Sequence, residues 1–307
     1  MNMADTLRLE GLRGELKENE PMARHVSWRA GGSAARFYAP VDLDDLAAFL
    51  RQLPPVEPVL FVGLGSNLLV RDGGYAGTVV LTHAAGRHPQ LIAGHVYAEA
   101  GVASPKVARF AARHDLVGAE FLAGVPGTVG GALAMNAGCY GGETWEIVER
   151  AVTIDRRGVL RTRARAEFST GYRHCVLTDG ARLGEDEWFA GAWFSLRRGD
   201  GAASRARIRE LLERRIASQP LSLPNAGSVF RNPPADHAAR LIESCGLKGL
   251  ERGGARISEK HANFIVNPKG RASAADIEWL IAQARDAVRA RTGVELVAEV
   301  RIVGEAA

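Results

Sequence analysis

AGVPGTVGGALAMNAG, residues 123–138, holds five glycines, and four of them, Gly124, Gly127, Gly130 and Gly131, crowd around Pro126 and Thr128. Tight turns rarely need so many. A backbone lying flat against a bulky polyanionic cofactor does need them, because a β-carbon would collide with it and bare N–H groups can bond phosphate. A smaller cluster lies upstream, where the apolar run VLFV (59–62) passes into GLGSN (63–67) and then into LLVRDGG and GTVVLT. That reads as strand, tight glycine turn, strand, with Ser66 and Asn67 as polar ends beside Gly63 and Gly65. Alone, this turn is equally well a plain hairpin. It lacks the third glycine of GxGxxG and leads to a strand instead of a helix, so the dinucleotide fingerprint of the Rossmann fold fails on context. Two glycine-rich loops in one unit nevertheless point to a dinucleotide cofactor.

Working outward, the chain has 307 residues and 35 glycines, with 46% hydrophobic and 24% charged residues, the balance of a soluble globular enzyme with more than one core. A net charge of +4 comes from arginines scattered through the whole length, which weakly favours an anionic small ligand and gives no nucleic-acid patch. Cys139, Cys175 and Cys245 form no CxxC pair, so neither a zinc site nor a disulfide framework is expected, and no metal. The first twenty residues are charged where a signal peptide needs an apolar core, and no long apolar run follows. A cytoplasmic protein, with no membrane partner, is the expectation.

The periodicity predicts helices at 41–53 behind Asp42, at 104–116 with Ser104 as cap and Pro105 first in the helix, at 204–218, at 236–246 stopped by Gly246, and at 273–292 between Ser273 with Asp276 and Gly293. Strands are predicted at 189–196, at 263–267 and at 294–303, with a hairpin from 151. The stretch RRGDGAAS places a domain boundary near 200.

RAGGSAARFYAP (29–40), GLGSNLLV (63–70), the glycine loop, GYR (171–173), NAGSVFRNP (225–233), GLKG (246–249) and GGARISEKHANFIVN (253–267) occur in one order. Together they resemble the UDP-N-acetylenolpyruvoylglucosamine reductases of bacterial peptidoglycan synthesis. The resemblance implies an α+β fold: an N-terminal leader at 1–22, an FAD-binding domain of the vanillyl-alcohol oxidase type with two subdomains at 23–200, and a smaller α+β substrate domain at 201–307. It implies noncovalent FAD, NADPH as hydride donor, a UDP-sugar substrate and a monomer. Gly63, Gly65, Ser66, Asn67, Gly124, Pro126, Gly127, Thr128, Gly130, Gly131, Asn136 and Gly138 match the cofactor loops, with Arg29, Gly31 and Gly32 beside them.

In that family a hydride reaches the methylene carbon of an enolpyruvyl ether, leaving negative charge on the neighbouring carbon and its carboxylate. The chemistry requires a cationic clamp and a proton donor. An arginine fork, always charged, suits the clamp, and Arg173 matches the family arginine. Ser228 matches the proton donor; an alcohol is a weak acid, but an enolate carbanion is a strong base, so alignment counts for more than acidity. Glu299 matches the family glutamate, with Glu295 ranked second on the same predicted strand. Tyr172, Arg231, Asn232, Lys260, His261 and Asn263 are the substrate-binding candidates, although His261 and Asn263 equally suit a loop-fixing role. Read without the family, Ser228 is a turn or cap residue, Arg173 a surface charge and Glu299 a solvated strand residue.

Cys175 and Asn225 stand where the family commonly has serine. The stretch from Arg173 to Ser228 is too short for the extra loop that carries a substrate-clamping tyrosine, so the resemblance points to the class lacking it. DGARLGEDEW (179–188) is polar and is expected to be a surface excursion. Two other readings stand beside the reductase: an oxidase or dehydrogenase of the same fold, and a flavin-binding module without catalysis.

Overall fold

Asp42 accepts a hydrogen bond from the Asp45 N–H and opens the helix Leu43–Gln52, the start that the sequence predicts. The computed structural model describes residues 9–307. The helix covers one face of a four-stranded sheet ordered Glu15–Pro21, Ser33–Ala39, Tyr75–Leu81, Val59–Val62, antiparallel at the first pair and parallel at the other two. Its strand Glu15–Pro21 falls in the expected leader, whose first eight residues lie outside the described ones. Tyr38 donates to the Asp45 carboxylate at 2.7 Å, and Asp45 also accepts from the Arg13 N–H at 2.8 Å, so the segment before that strand is pinned to the helix.

A second sheet is antiparallel throughout, in the order Leu160–Ala164, Val148–Asp155, Glu187–Phe194, His95–Glu99, Gln90–Ile92. The helices Ser104–Arg113 and Val129–Ala134 pack on it around Val107, Ala111, Leu133 and Trp145. Ser104 is the first helical residue and Ala103 occupies the cap, so the predicted cap is corrected by one position; Pro105 keeps its place in the first turn. The helix Gly201–Ser218, capped by Asp200, starts just past the expected boundary, yet its Ile208 belongs to this same core. The cores divide after that helix.

The third unit has a three-stranded sheet, Glu251–Arg252, Ala255–Ile257 and Ile265–Val266, packed under the helices Ala238–Ser244 and Ala274–Thr292. The long helix has the predicted capping box of Ser273 with Asp276, and Gly293 ends it at φ +74°. Trp28, Ala30 and Leu69, from the first unit, lie in this third core. Trp28 donates its indole N–H to the Ile265 carbonyl at 2.7 Å, and Asn267 donates to the Trp28 carbonyl at 2.9 Å. Asp72 accepts from Ala274 N and Ala275 N, and Arg71 grips Glu278 with two nitrogens, closing the seam.

Three stretches differ from the sequence reading. GLGSN joins strands that do not pair: Val59–Val62 lies beside Tyr75–Leu81, whereas Leu68–Val70 pairs with Arg301–Val303 in parallel. The predicted strand 294–303 shrinks to Arg301–Val303 because the residues before it bond a loop instead of a ladder: Arg231 N donates to Val297 O and Glu299 N to Val229 O. The insert 179–188 is also more than a surface excursion, since Glu187 and Trp188 are buried and begin a central strand.

Asn267 is fully buried and uses both ends of its amide, accepting from Arg271 N and Ala272 N while donating to the Trp28 carbonyl. Asn267→Ala should therefore lower the free energy of unfolding by about 1–3 kcal/mol, the cost of leaving buried partners unmet. Urea denaturation of both proteins measures it.

Candidate active site

The carboxyl ends of the parallel strands Val59–Val62 and Tyr75–Leu81 point into a cavity of about 600 Å³, the place where open parallel sheets bind ligands. Its walls include the loops 63–67 and 124–131, the turn at Arg173, the loop 226–228 and residues 298–301.

The two glycine loops interlock. A β-carbon on Gly63 would strike Thr128, and one on Gly127 would lie 2.6 Å from the Ser66 hydroxyl. Gly65 is closed in by the backbone of His25 and Val26, and Gly130 by Ala100. These glycines are therefore required by chain against chain, whatever a cofactor adds. Val129 N and Gly130 N donate to Val102 O and Ala100 O, fixing the second loop to the sheet. Among the described residues, the N–H groups of Leu64, Gly65, Ser66 and Asn67 have no backbone acceptor, a donor set suited to phosphate oxygens.

Arg173 occupies the two-residue turn of the hairpin Phe168–Gly171 and His174–Leu177, at φ +54°. A bulky residue in the left-handed region costs of order 1–3 kcal/mol and persists only where its surroundings hold it. Here Arg173 donates Nε to Glu299 Oε1 at 2.9 Å and Nη2 to the Gly138 carbonyl at 2.9 Å, with its guanidinium 5.0 Å from the Tyr172 ring. Burial holds the Glu299 carboxyl above the ordinary glutamate range, against the pull of Arg173 and Arg231. Glu295 instead forms an exposed pair with Arg289 at 3.4 Å, and of the two glutamates it is Glu299 that lies on the cavity wall.

Ser228 reaches the same wall because its loop is sewn to two others. Val229 N donates to Asn263 O, Phe230 bridges Ala298, and Glu299 N donates to Val229 O at 2.8 Å. Asn67 donates its amide to the Glu299 carbonyl at 3.1 Å, tying the first glycine loop to the glutamate.

Nine predicted residues lie off the cavity wall. Asn263 closes a two-bond ring with Phe230, accepting from its N–H and donating to its carbonyl, so it fixes the serine loop. His261 accepts from Asn263 N and meets Phe264 edge-on, and burial holds its imidazole below the ordinary histidine range. Lys260 donates to Ile216 O, Asn232 accepts from Ala238 N at a helix start, and Tyr172 accepts from Asn232 N at 3.4 Å. Asn136 donates to Glu143 and to the Gly171 carbonyl, and so steadies the turn that carries Arg173. Gly31 and Gly32 pack on Val70 and Asp72, and Arg29 is exposed at φ +57°; their segment supports GLGSN from behind, through Ser27 N donating to Gly65 O. Arg231, Gly124, Pro126, Gly131 and Gly138 are on the wall.

The sequence reading missed Arg215, Arg301 and Trp188, all on the wall. Arg215 sits in the last turn of Gly201–Ser218, donates to Gln219 at 2.9 Å and has no carboxylate partner among the described residues. Periodicity marks it only as a helical arginine; the one available signal was its place close before the serine loop.

A glycine-lined cavity with free N–H donors and an arginine–glutamate pair suits a phosphate-bearing cofactor, and residues 34–163 match the family model described as FAD binding domain, which makes this an FAD-binding protein. Residues 219–303 match the model described as UDP-N-acetylenolpyruvoylglucosamine reductase, C-terminal domain. Proteins of that name from Thiobacillus denitrificans and Nitrosospira multiformis are 60% and 59% identical to this chain, covering 96% and 97% of it and 94% and 91% of their own lengths. The crystal structure of the UDP-N-acetylenolpyruvylglucosamine reductase from Thermus caldophilus superposes with a TM-score of 0.78 at 30% identity, over 95% of this chain and 99% of that one. The chain belongs to the UDP-N-acetylenolpyruvoylglucosamine reductase family.

Cys175, at a position where serine was expected, packs with Trp145 and Phe168 in the core of the second sheet. Burial pushes its thiol up to about 12 and that of Cys139 up to about 11. Burial therefore keeps Cys175 as the thiol at neutral to mildly alkaline pH, and the thiolate is the reactive form. Iodoacetamide should leave Cys175 unmodified in the native protein and alkylate it after denaturation, as peptide mass spectrometry will show.

Proposed function

We propose that this chain is an FAD-dependent, NADPH-using reductase that converts the enolpyruvyl ether of UDP-N-acetylenolpyruvoylglucosamine to UDP-N-acetylmuramate in peptidoglycan precursor synthesis. What carries the reading is the meeting of Arg173, Ser228 and Glu299 on the wall of the cavity formed by the two glycine loops. FAD, when bound, supplies hydride transfer between NADPH and the methylene carbon of the enolpyruvyl group. The N–H groups of residues 64–67, at the carboxyl ends of parallel strands, would hold its pyrophosphate.

The protein's own residues supply the rest. Arg173 and Arg231 hold the substrate carboxylate and spread the charge that develops beside it. Ser228 donates its hydroxyl proton to the carbon next to the carboxylate, and the nearby guanidinium groups limit the cost of the transient alkoxide. Glu299, with a carboxyl held above the usual range by burial, keeps its proton to a higher pH than an exposed glutamate and returns one to Ser228. Arg215, without a carboxylate partner, is available to an anionic part of the substrate. The protein acts as a monomer in the cytoplasm, with noncovalent FAD; no helix among the described residues is long and apolar enough to cross a membrane.

Two outcomes test these roles. Ser228→Ala should reduce flavin normally with NADPH but slow anaerobic reoxidation by the enolpyruvyl nucleotide sugar by about 10²–10⁴, the typical worth of a positioned proton donor. Near-normal reoxidation in stopped flow would refute the serine's role. Because the raised carboxyl loses its proton as pH rises, the wild-type reoxidation rate should fall on an alkaline limb beginning above the ordinary glutamate range. In Glu299→Gln that limb should be missing from a slower, flat profile.

A further inference from the structure

Arg173 and Glu299 are held by bonds to their side chains, whereas the Ser228 hydroxyl makes no hydrogen bond among the described residues. Its place on the cavity wall is therefore set by the main chain alone. After the serine, that main chain is fixed by Asn263, whose carbonyl accepts from Val229 N and whose amide bonds both backbone groups of Phe230. Before the serine, the fixing residue is Asn225, which stands where the family resemblance leads one to expect serine.

Asn225 is half-buried and uses both ends of its side chain. Its Oδ1 accepts from Gly227 N at 2.9 Å, the turn that an asparagine makes with the N–H two residues on. Gly227 lies at φ +75°, and an added β-carbon there would meet nothing within 4 Å. Conformation and not space calls for glycine at this position, and glycine by itself holds no conformation. The Nδ2 of Asn225 donates to the Leu223 carbonyl at 2.7 Å and to that of Pro220 at 3.3 Å, clasping the turn that Leu223 N closes on Pro220 O. That turn follows directly on Gln219, which accepts from Arg215 on the cavity wall. One amide thus joins the end of a helix to the loop that carries the serine. A hydroxyl in its place could accept from Gly227 N but has only one proton to give, and an alanine could do neither.

We infer that Asn225 is a positioning residue for Ser228: it holds Gly227 in the left-handed region and so presents the serine hydroxyl to the reacting carbon. This rests on the reductase reading above. In Asn225→Ala, FAD retention and flavin reduction by NADPH should match wild type, while anaerobic reoxidation by the enolpyruvyl nucleotide sugar slows about 10- to 100-fold, the scale of a misplaced reacting group. In a Ser228→Ala background the same change should alter the rate by no more than about 2-fold, because the group it aims is gone. Asn225→Ser keeps an acceptor for Gly227 N and should stay within about 3-fold of wild type, the cost of one weak hydrogen bond. An alanine variant that reoxidises like wild type, one that loses the same factor in both backgrounds, or a serine variant as slow as alanine overturns the assignment. A crystal structure of Asn225→Ala checks the placement apart from activity: Gly227 should leave positive φ and Ser228 should shift, and an unmoved loop overturns the inference. A wild-type protein that is bleached by NADPH but not recoloured by the sugar overturns the reductase reading instead, and the crystallographic comparison still decides what Asn225 holds.

Discussion

The site depends on one short return of the chain. Residues 297–303 come back from the third unit and are bonded on three sides: to the serine loop through Val229 and Arg231, to the first glycine loop through Asn67, and to the hairpin turn through Arg173. A glutamate in this position needs neither a helix nor a long strand to orient it. Its backbone N–H and carbonyl are both spent on neighbours, and its side chain meets the guanidinium. The geometry is built largely from main-chain bonds, whose partners cannot be lost by side-chain substitution.

The same economy explains the glycines. Ser66 and Thr128 occupy space left by Gly127 and Gly63, so each loop is the mould of the other. With the loops packed in this way, the residues that carry the free N–H groups are held on the cavity wall without relying on a ligand. This is preorganisation in a literal sense: the cost of ordering the donors is met in folding and not at each binding event.

Local signals made much of the fold legible. Asp42, the pair Ser273 and Asp276, and Gly293 act through bonds to residues a few positions away, and the helices they bound stand where the sequence placed them, to within a few residues. What stayed hidden depends on distant partners. VELVAEVRIV alternates like a strand, but its middle bonds a loop some seventy residues earlier and only Arg301–Val303 enters a ladder. Asn263 and Asn136 sit in recognisable motifs, yet nothing in a linear motif tells a side chain that meets ligand from one that fixes the loop that does. Trp188 was hidden by the polar run before it, which reads as surface and folds as a wall.

The return strand also has a consequence for biosynthesis. Residues 299–303 leave the ribosome after everything they bind: Leu68–Val70, Asn67, Val229 and Arg173. The earlier segments can collapse around their own cores as they emerge, but the glutamate and its arginine stay unpartnered until the last parallel strand docks. A chain that stalls or is clipped before residue 299 would therefore lack the Arg173–Glu299 pair and the strand that closes on Leu68–Val70.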